Sequence, residues 1–292
     1  MQVAIALLKN MRPKQWAKNG FVFAALVFDG KLTDPESLMR VFASFGLLCL
    51  TASTIYLIND LVDLEKDRAH PKKRFRPLAS GKLPVPVAMA AAVIFPLISL
   101  SLATLLAWEL AVVLVAYLVL HIVYSFVLKN IVLVDVFSIA AGFVLRVLAG
   151  VVVIEVEQFS QWLYVCVGLL SLFLAVGKRR QELVLLGDTA ETTKPVLKQY
   201  NITLLNDMLR MTMTSAAIAY TLYAIEAETL LVENSVFLLT IPFVYYALFR
   251  YLYIIYVEQH GGDPTEVLFE DRPLQLSIVL WISLVIVLFY IL

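Results

Sequence analysis

From Asn59 to Lys82 the sequence reads NDLVDLEKDRAHPKKRFRPLASGK, a charged stretch set between two long apolar runs. If the preceding helix continues into it, Asp60, Asp63 and Asp67 fall three and four residues apart, which puts all three carboxylates on one face. Such a face repels itself unless a cation sits on it. Hard oxygen ligands on one side of a helix suit Mg²⁺, which is commonly held by one or two carboxylates and completes its shell with water and phosphate oxygens. Lys72, Lys73, Arg74, Arg76 and Lys82 follow immediately and are natural partners for further phosphate charge. A charged loop between membrane helices is ordinarily just solvated. In-phase carboxylates followed by five basic residues favour a metal and phosphate site over that reading.

Further candidates are spread along the chain. Lys18 and Asn19 end a basic segment, Arg12 to Asn19, whose Trp16 and cations also suit simple anchoring at a lipid headgroup layer. Tyr124, Lys129 and Asp135 flank a turn reading YSFVLKNIVLVD, and Arg146 lies eleven residues beyond Asp135, close to three full turns along the same helix face. An arginine that deep in an apolar helix is costly and marks a functional site, unless an acid or carbonyls merely neutralise it. Lys178, Arg179 and Arg180, with Glu182, form a second basic group that reads either as positive-inside anchors or as a second phosphate clamp. DRPL at 271–274 is assigned no catalytic role.

The elements that must position these residues are membrane helices. Of the 292 residues 61% are hydrophobic and only 16% charged, more apolar surface than a soluble domain could hide. Apolar segments at roughly 20–28, 38–58, 85–107, 110–128, 131–154, 161–176, 208–225, 235–257 and 274–292 predict about nine spans, the first being the shortest. Lys and Arg crowd the N-terminus, the 60–82 loop, the Lys129 turn and the 178–198 loop, whereas the connections near Asp34, Glu109, Glu155, Glu157 and Glu228 hold few. The positive-inside rule therefore places the N-terminus and all the candidate chemistry on the cytoplasmic face of a plasma (inner) membrane and the C-terminus outside. The N-terminus lacks the order of a cleavable signal. Pro96 and Pro242 are expected to kink their helices, and Gly142 and Gly150 to allow close packing. Cys49 and Cys166 fall in apolar runs as buried thiols, and a net charge of zero excludes a nucleic-acid partner on gross electrostatics. With no linker or low-complexity tract, residues 1–292 read as one integral-membrane domain.

The run Asn59, Asp60, Asp63, Asp67 resembles the N-D-x-x-D-x-x-x-D signature of the UbiA-type polyprenyl transferase superfamily. MRPKQWAKN at 11–19, HPKKRFRPLASGK at 70–82, YSFVLK at 124–129, DVFSIAAGFVLRVLAG at 135–150, GKRRQEL at 177–183 and DRPL at 271–274 bring the resemblance closer to the decaprenyl-phosphate 5-phosphoribosyltransferases. The resemblance implies an all-α bundle of nine membrane helices with a cytoplasmic-side cavity open to lipid. It further implies Mg²⁺ at Asp60, Asp63 and Asp67, phosphoribosyl diphosphate as donor and a polyprenyl phosphate as acceptor. Asn59, Lys18, Arg74, Lys82, Tyr124, Lys129, Asp135, Arg146, Lys178 and Arg179 are then the substrate-binding set. Aromatic prenyltransferases of the superfamily carry a second Asp-rich motif after the sixth helix; here that place holds Lys178 to Arg180, which favours direct phosphate binding by cations. The rival readings are an aromatic prenyltransferase using a polyprenyl diphosphate, and a cation transporter, for which the chain lacks a convincing internal repeat. Oligomeric state and lipid length are left open.

Overall fold

The computed structural model describes residues 2–71, 73–154, 156, 160–186, 195–231, 236–259 and 264–290. Lys72, Glu155, Glu157 and Asp188 lie outside them, as does the side chain of Glu228. All the regular structure among the described residues is helical, with no strand among them. The α-helices are α1 (Gln2–Asn10), α2 (Ala24–Phe28), α3 (Pro35–Val62), α4 (Leu64–Ala69), α5 (Val85–Leu106), α6 (Trp108–Phe126), α7 (Val134–Val151), α8 (Gln161–Leu186), α9 (Ile202–Leu231), α10 (Ile241–Tyr253), α11 (Pro264–Glu270) and α12 (Arg272–Tyr290). A 3-10 helix over Pro13–Phe23 precedes α2, and a π turn over Ile254–Glu258 extends α10.

Seven of these stretches are long and apolar enough to cross a bilayer: α3, α5, α6, α7, α8, α12 and the continuous run Phe237–Glu258. The 30-residue α9 has the length, but Thr, Ser and Glu226 lower its apolarity. The first expected span, 20–28, is not one helix: it divides between the end of the 3-10 segment and the five residues of α2. Pro242 lies where the 3-10 turn Phe237–Thr240 passes into α10, inside the continuous run. Pro96 does lie inside α5, and Ser99 Oγ donates to the Pro96 carbonyl at 3.2 Å.

By its contacts the chain forms two compact units, residues 1–26, 31–126 and 145–155 in the first and 27–30, 127–144 and 156–292 in the second. The units interleave in sequence, so no single cut separates them. In the first, α3 packs against α5, α6 and the 3-10 segment. Its N-terminal end is fixed by Asp34, whose carboxylate accepts from Ser37 N at 2.9 Å with Pro35 at the first helical position. Inside the bilayer, Thr51, Ser53 and Thr54 donate to the carbonyls four residues back, which removes the cost of their hydroxyls in an apolar medium. Thr51 Oγ1 also lies 3.1 Å from Ser99 Oγ, a polar contact from α3 to α5.

In the second unit α8 packs along α9, and α10 against α12. Gly177 on α8 matters here, because a Cβ would meet the Ile255 and Tyr251 side chains at 3.0 and 3.2 Å. The core around Phe173, Val176, Leu205, Leu209 and Tyr251 is aliphatic and aromatic, with Phe173 and Tyr251 edge to face at 5.3 Å.

Candidate active site

The helix that carries the carboxylates breaks at Asp63, which caps α3 and precedes α4. The bonds from Asp63 N to Asn59 O and from Asp67 N to Asp63 O keep the helical repeat across the break. Asp60 and Asp67, two turns apart, therefore face the same way and are both buried. They converge on one atom: Arg76 Nη1 lies 3.1 Å from Asp60 Oδ1 and 2.6 Å from Asp67 Oδ2. Asp63 diverges. It is half-buried and has Lys66 Nζ at 4.0 Å. The expected triad is thus a convergent pair with a third carboxylate at its edge, and among the described residues no three His, Cys, Asp or Glu groups are gathered as a ready-made metal site.

The convergent pair still fits a small hard cation. Two carboxylate oxygens already hold a single cationic nitrogen between them, and that nitrogen stands where a metal would sit. The donor chemistry is all oxygen, as Mg²⁺ requires. Arg12 closes the other side, with Nη2 2.6 Å from Asp60 Oδ1 and its guanidinium 4.8 Å from the Tyr56 ring centroid. Lys73 Nζ lies 3.8 Å from Asp67 Oδ1. Two acids meeting three cations leave net positive charge, which suits a polyanionic substrate.

Arg12 and Arg76 are each held by their own part of the chain. Leu78 and Leu83 are buried in a cluster with Ala6, Leu57, Ala88 and Ala91, and this anchors the loop that carries Arg76. Gly81 completes the turn at φ 77°, a conformation a side chain would strain, and its N–H donates to Leu78 O at 3.1 Å. Arg12 adopts φ 57° without being glycine, a strained backbone at the start of the 3-10 segment. From there the segment runs antiparallel to α3: Arg12 meets Asp60, Trp16 Nε1 donates to Ser53 Oγ at 3.2 Å, and Asn19 Nδ2 donates to Cys49 Sγ at 3.2 Å. The 3-10 rise explains this register. Seven residues at about 2.0 Å each advance about 14 Å, near the ~16 Å that eleven α-helical residues cover, whereas an α-helix would advance only ~10 Å.

Arg146 lies at the deep end of that ladder and is buried. Its Nε donates to Asn19 Oδ1 at 3.0 Å, and its Nη2 donates to Tyr117 OH at 2.6 Å. Both of these groups are neutral and polar. Gly150, one turn further on, lets the 3-10 segment approach: a Cβ there would lie 1.9 Å from Val22 O. Tyr124 and Asn59 are half-buried, whereas Arg74 and Lys82 are exposed, Arg74 lying 4.9 Å over the Phe75 ring.

The remaining sequence candidates belong to the second unit, and two of them satisfy each other. Asp135 is fully buried; its Oδ2 accepts from Arg179 Nε at 2.5 Å and its Oδ1 from Tyr200 OH at 2.7 Å. Arg179 Nη1 also donates to Glu182 at 2.7 Å. Tyr200 OH accepts from the N–H of Leu133, a left-handed residue at φ 67°. Burial, then the bond to Asp135, push the Tyr200 phenol up and keep it protonated as a donor. Arg180 stacks 4.1 Å over Tyr256 and donates to Asn206 Oδ1 at 2.7 Å and to the Ile255 carbonyl in the π turn. Of the second phosphate clamp expected over 178–180, Arg179 is buried in an ion pair with Asp135 and Arg180 is half-buried against Tyr256 and Asn206, contacts that tie helices together. Lys178 is half-buried and Lys129 exposed. DRPL caps a helix, with Asp271 accepting from Leu274 N at 2.8 Å and bridging to Arg250 at 2.6 Å.

Residues 20–269 match the UbiA prenyltransferase family. The chain belongs to that family. It is 34% identical to a decaprenyl-phosphate phosphoribosyltransferase of Corynebacterium glutamicum over 99% of this chain and 88% of the relative. A protein of the same name from Mycobacterium tuberculosis is 35% identical over 96% of this chain and 92% of its own length. Among solved structures, a UbiA homolog from Archaeoglobus fulgidus bound to DMAPP and Mg²⁺ superposes with a TM-score of 0.72 at 18% identity, covering 98% of this chain and 99% of that one, which establishes the fold. With its long apolar helices, this UbiA family member is a multi-pass membrane protein. The sequence offered Arg76 only as one of a run of phosphate partners and Arg12 only as part of a basic segment; that both meet Asp60 was not legible, since each reaches it from a different segment and no local pattern joins them.

Proposed function

We propose that this protein transfers 5-phosphoribose from phosphoribosyl diphosphate to a polyprenyl phosphate and releases diphosphate. The observation that carries the reading is the Asp60–Arg76–Asp67 convergence beside Arg12 and Lys73, a place for a cation-bound diphosphate, in a chain resembling phosphoribosyltransferases along nearly its whole length. Asp60 and Asp67 would hold the Mg²⁺, with Asp63 close by as a further candidate ligand. When bound there, the metal neutralises charge that builds on the departing diphosphate.

The protein's own residues do the positioning. Arg76, Arg12 and Lys73 are all partly exposed, so each could turn from the carboxylates to the diphosphate oxygens. Arg74 and Lys82 extend the cationic surface. A lipid phosphate oxygen attacks ribose C1, the C1–O bond to diphosphate breaks, and its electron pair leaves with the diphosphate. The attacking group is already anionic, so no general base is needed, and catalysis is orientation plus charge stabilisation. The distribution of Lys and Arg orients this face to the cytoplasm.

The test is to incubate purified protein and Mg²⁺ with each donor and acceptor pair and analyse the lipid extract by mass spectrometry. A lipid-linked phosphoribose made from phosphoribosyl diphosphate, with no prenyl diphosphate present, is the expected product. A prenylated aromatic product alone would overturn the reading in favour of a prenyltransferase.

A further inference from the structure

Below the Asp face, the first unit holds a histidine to which the mechanism above gives no role. His121 follows Tyr117 by one turn of α6, on the side toward Tyr124, and the two rings meet at 4.3 Å and 60°. Its Nε2 is buried and makes no hydrogen bond to the protein among the described residues. The charges of Arg146 and Lys18 both act on the ring. Arg146 also lies 4.9 Å over the Tyr117 ring that His121 packs against. A buried polar nitrogen left unbonded is costly, by about 1–3 kcal/mol. Arg146 itself donates to Asn19 and Tyr117, both neutral groups. Two cations around an unfilled N–H position are the complement of a small anion, and an imidazole can present an N–H at Nε2 while adding no charge of its own.

We propose that His121 is a substrate-binding residue: its Nε2–H donates to an oxygen of a terminal phosphate monoester whose charge is met by Lys18 and Arg146. This rests on the phosphoribosyl transfer proposed above, in which the diphosphate occupies the Asp face and two monoesters remain, the lipid phosphate and the 5-phosphate of the donor. The bay suits that division of labour. It lies along the same ladder as the Asp60 contact but deeper, on the level of Asn19 and Tyr117, and it is built from fixed helix positions instead of a loop. A terminal dianion gains more from two cations and a neutral donor than a singly charged diester oxygen does.

Two variants separate binding from packing. His121→Phe keeps a ring against Tyr117 and removes the donor; His121→Gln restores an N–H at similar reach. With Phe, the KM for one substrate should rise about tenfold, equivalent to about 1.4 kcal/mol, at little change in kcat, and Gln should recover most of the loss. A rise for polyprenyl phosphate assigns the bay to the lipid, and a rise for phosphoribosyl diphosphate assigns it to the 5-phosphate. Inorganic phosphate supplies a readout independent of transfer: it should raise the thermal midpoint of the detergent-purified wild type, and less so for His121→Phe. If the wild type transfers no phosphoribose, the functional reading fails while phosphate protection still reports on the bay. Unchanged KM values together with undiminished phosphate protection in His121→Phe would show that the histidine only packs or holds water. Should the Phe variant not fold, Lys18→Met takes its place in both assays, with the same outcomes deciding.

Discussion

Each unit contains a carboxylate pair-bonded to arginine, and the two differ in what surrounds them. In the first, Asp60 and Asp67 are 3% exposed while their partners Arg12 and Arg76 are about a third exposed. In the second, Asp135 and Arg179 are 0% and 4% exposed, and Tyr200 and Glu182 complete the network. An exposed guanidinium can swing away and be replaced, because water compensates it meanwhile. A sealed pair cannot separate without stranding a charge. On the proposed function the first arrangement exchanges its cation for another, whereas the second ties a turn and two helices together. Residue type and spacing alone do not distinguish them.

The sharpest way to break this contrast is to neutralise one acid of each kind. Asp60→Asn and Asp67→Asn should lower turnover by about 10²–10³-fold, the scale of removing a transition-state charge contact, while the thermal midpoint in detergent hardly moves. Near-normal turnover for both at saturating Mg²⁺ would reduce the Asp face to a solvated loop. Asp135→Asn should do the reverse, costing about 3–5 kcal/mol of stability as a buried arginine loses its counter-charge, visible as lost folded protein in size-exclusion chromatography before any kinetic effect. If Asp135→Asn folds normally but loses activity selectively, its pair belongs to the site after all.

Smaller effects refine the comparison. Asp63→Asn should cost roughly tenfold in kcat/KM, about 1.4 kcal/mol, because the acid sits at the edge of the convergent pair. A loss equal to that of Asp60→Asn would restore the three-carboxylate face. Tyr200→Phe strands both an Asp135 oxygen and the Leu133 N–H, for about 1–3 kcal/mol, read as a lower thermal midpoint with unchanged KM values. The smallest effect is in pH. The bond from Arg250 holds the Asp271 carboxyl below its usual range, so its contribution is present above about pH 4 and fades as pH falls through the lowered value. Asp271→Asn should therefore be less stable than wild type at neutral pH, and the two should converge in acid.

Much of the architecture was readable in the chain. Long apolar runs broken by charged loops leave little alternative to membrane helices, since a backbone in lipid must bond to itself. The motif of Asn59, Asp60, Asp63 and Asp67 is local, so its register on a helix follows from 3.6 residues per turn. The close packing expected at Gly150 is met by the Val22 carbonyl. The short span at 20–28 was misjudged because an apolar run does not reveal whether it winds as α or 3-10, and here the pairing with α3 decides.

What the sequence determined, then, is which groups lie on the same turn or at the same end of a helix, because those relations depend only on helical periodicity and on the aversion of charge to lipid. Which cation meets which acid was decided by the tertiary structure. Arg12 and Arg76 reach Asp60 across 48 and 16 residues, Arg179 reaches Asp135 across 44, and His121 lies within the field of Lys18 and Arg146 through three separate segments. A charge has no sequence preference for its partner. It takes whichever one the packing of apolar faces brings within reach, and the depth of that packing decides whether the pair can open for a substrate or must stay closed.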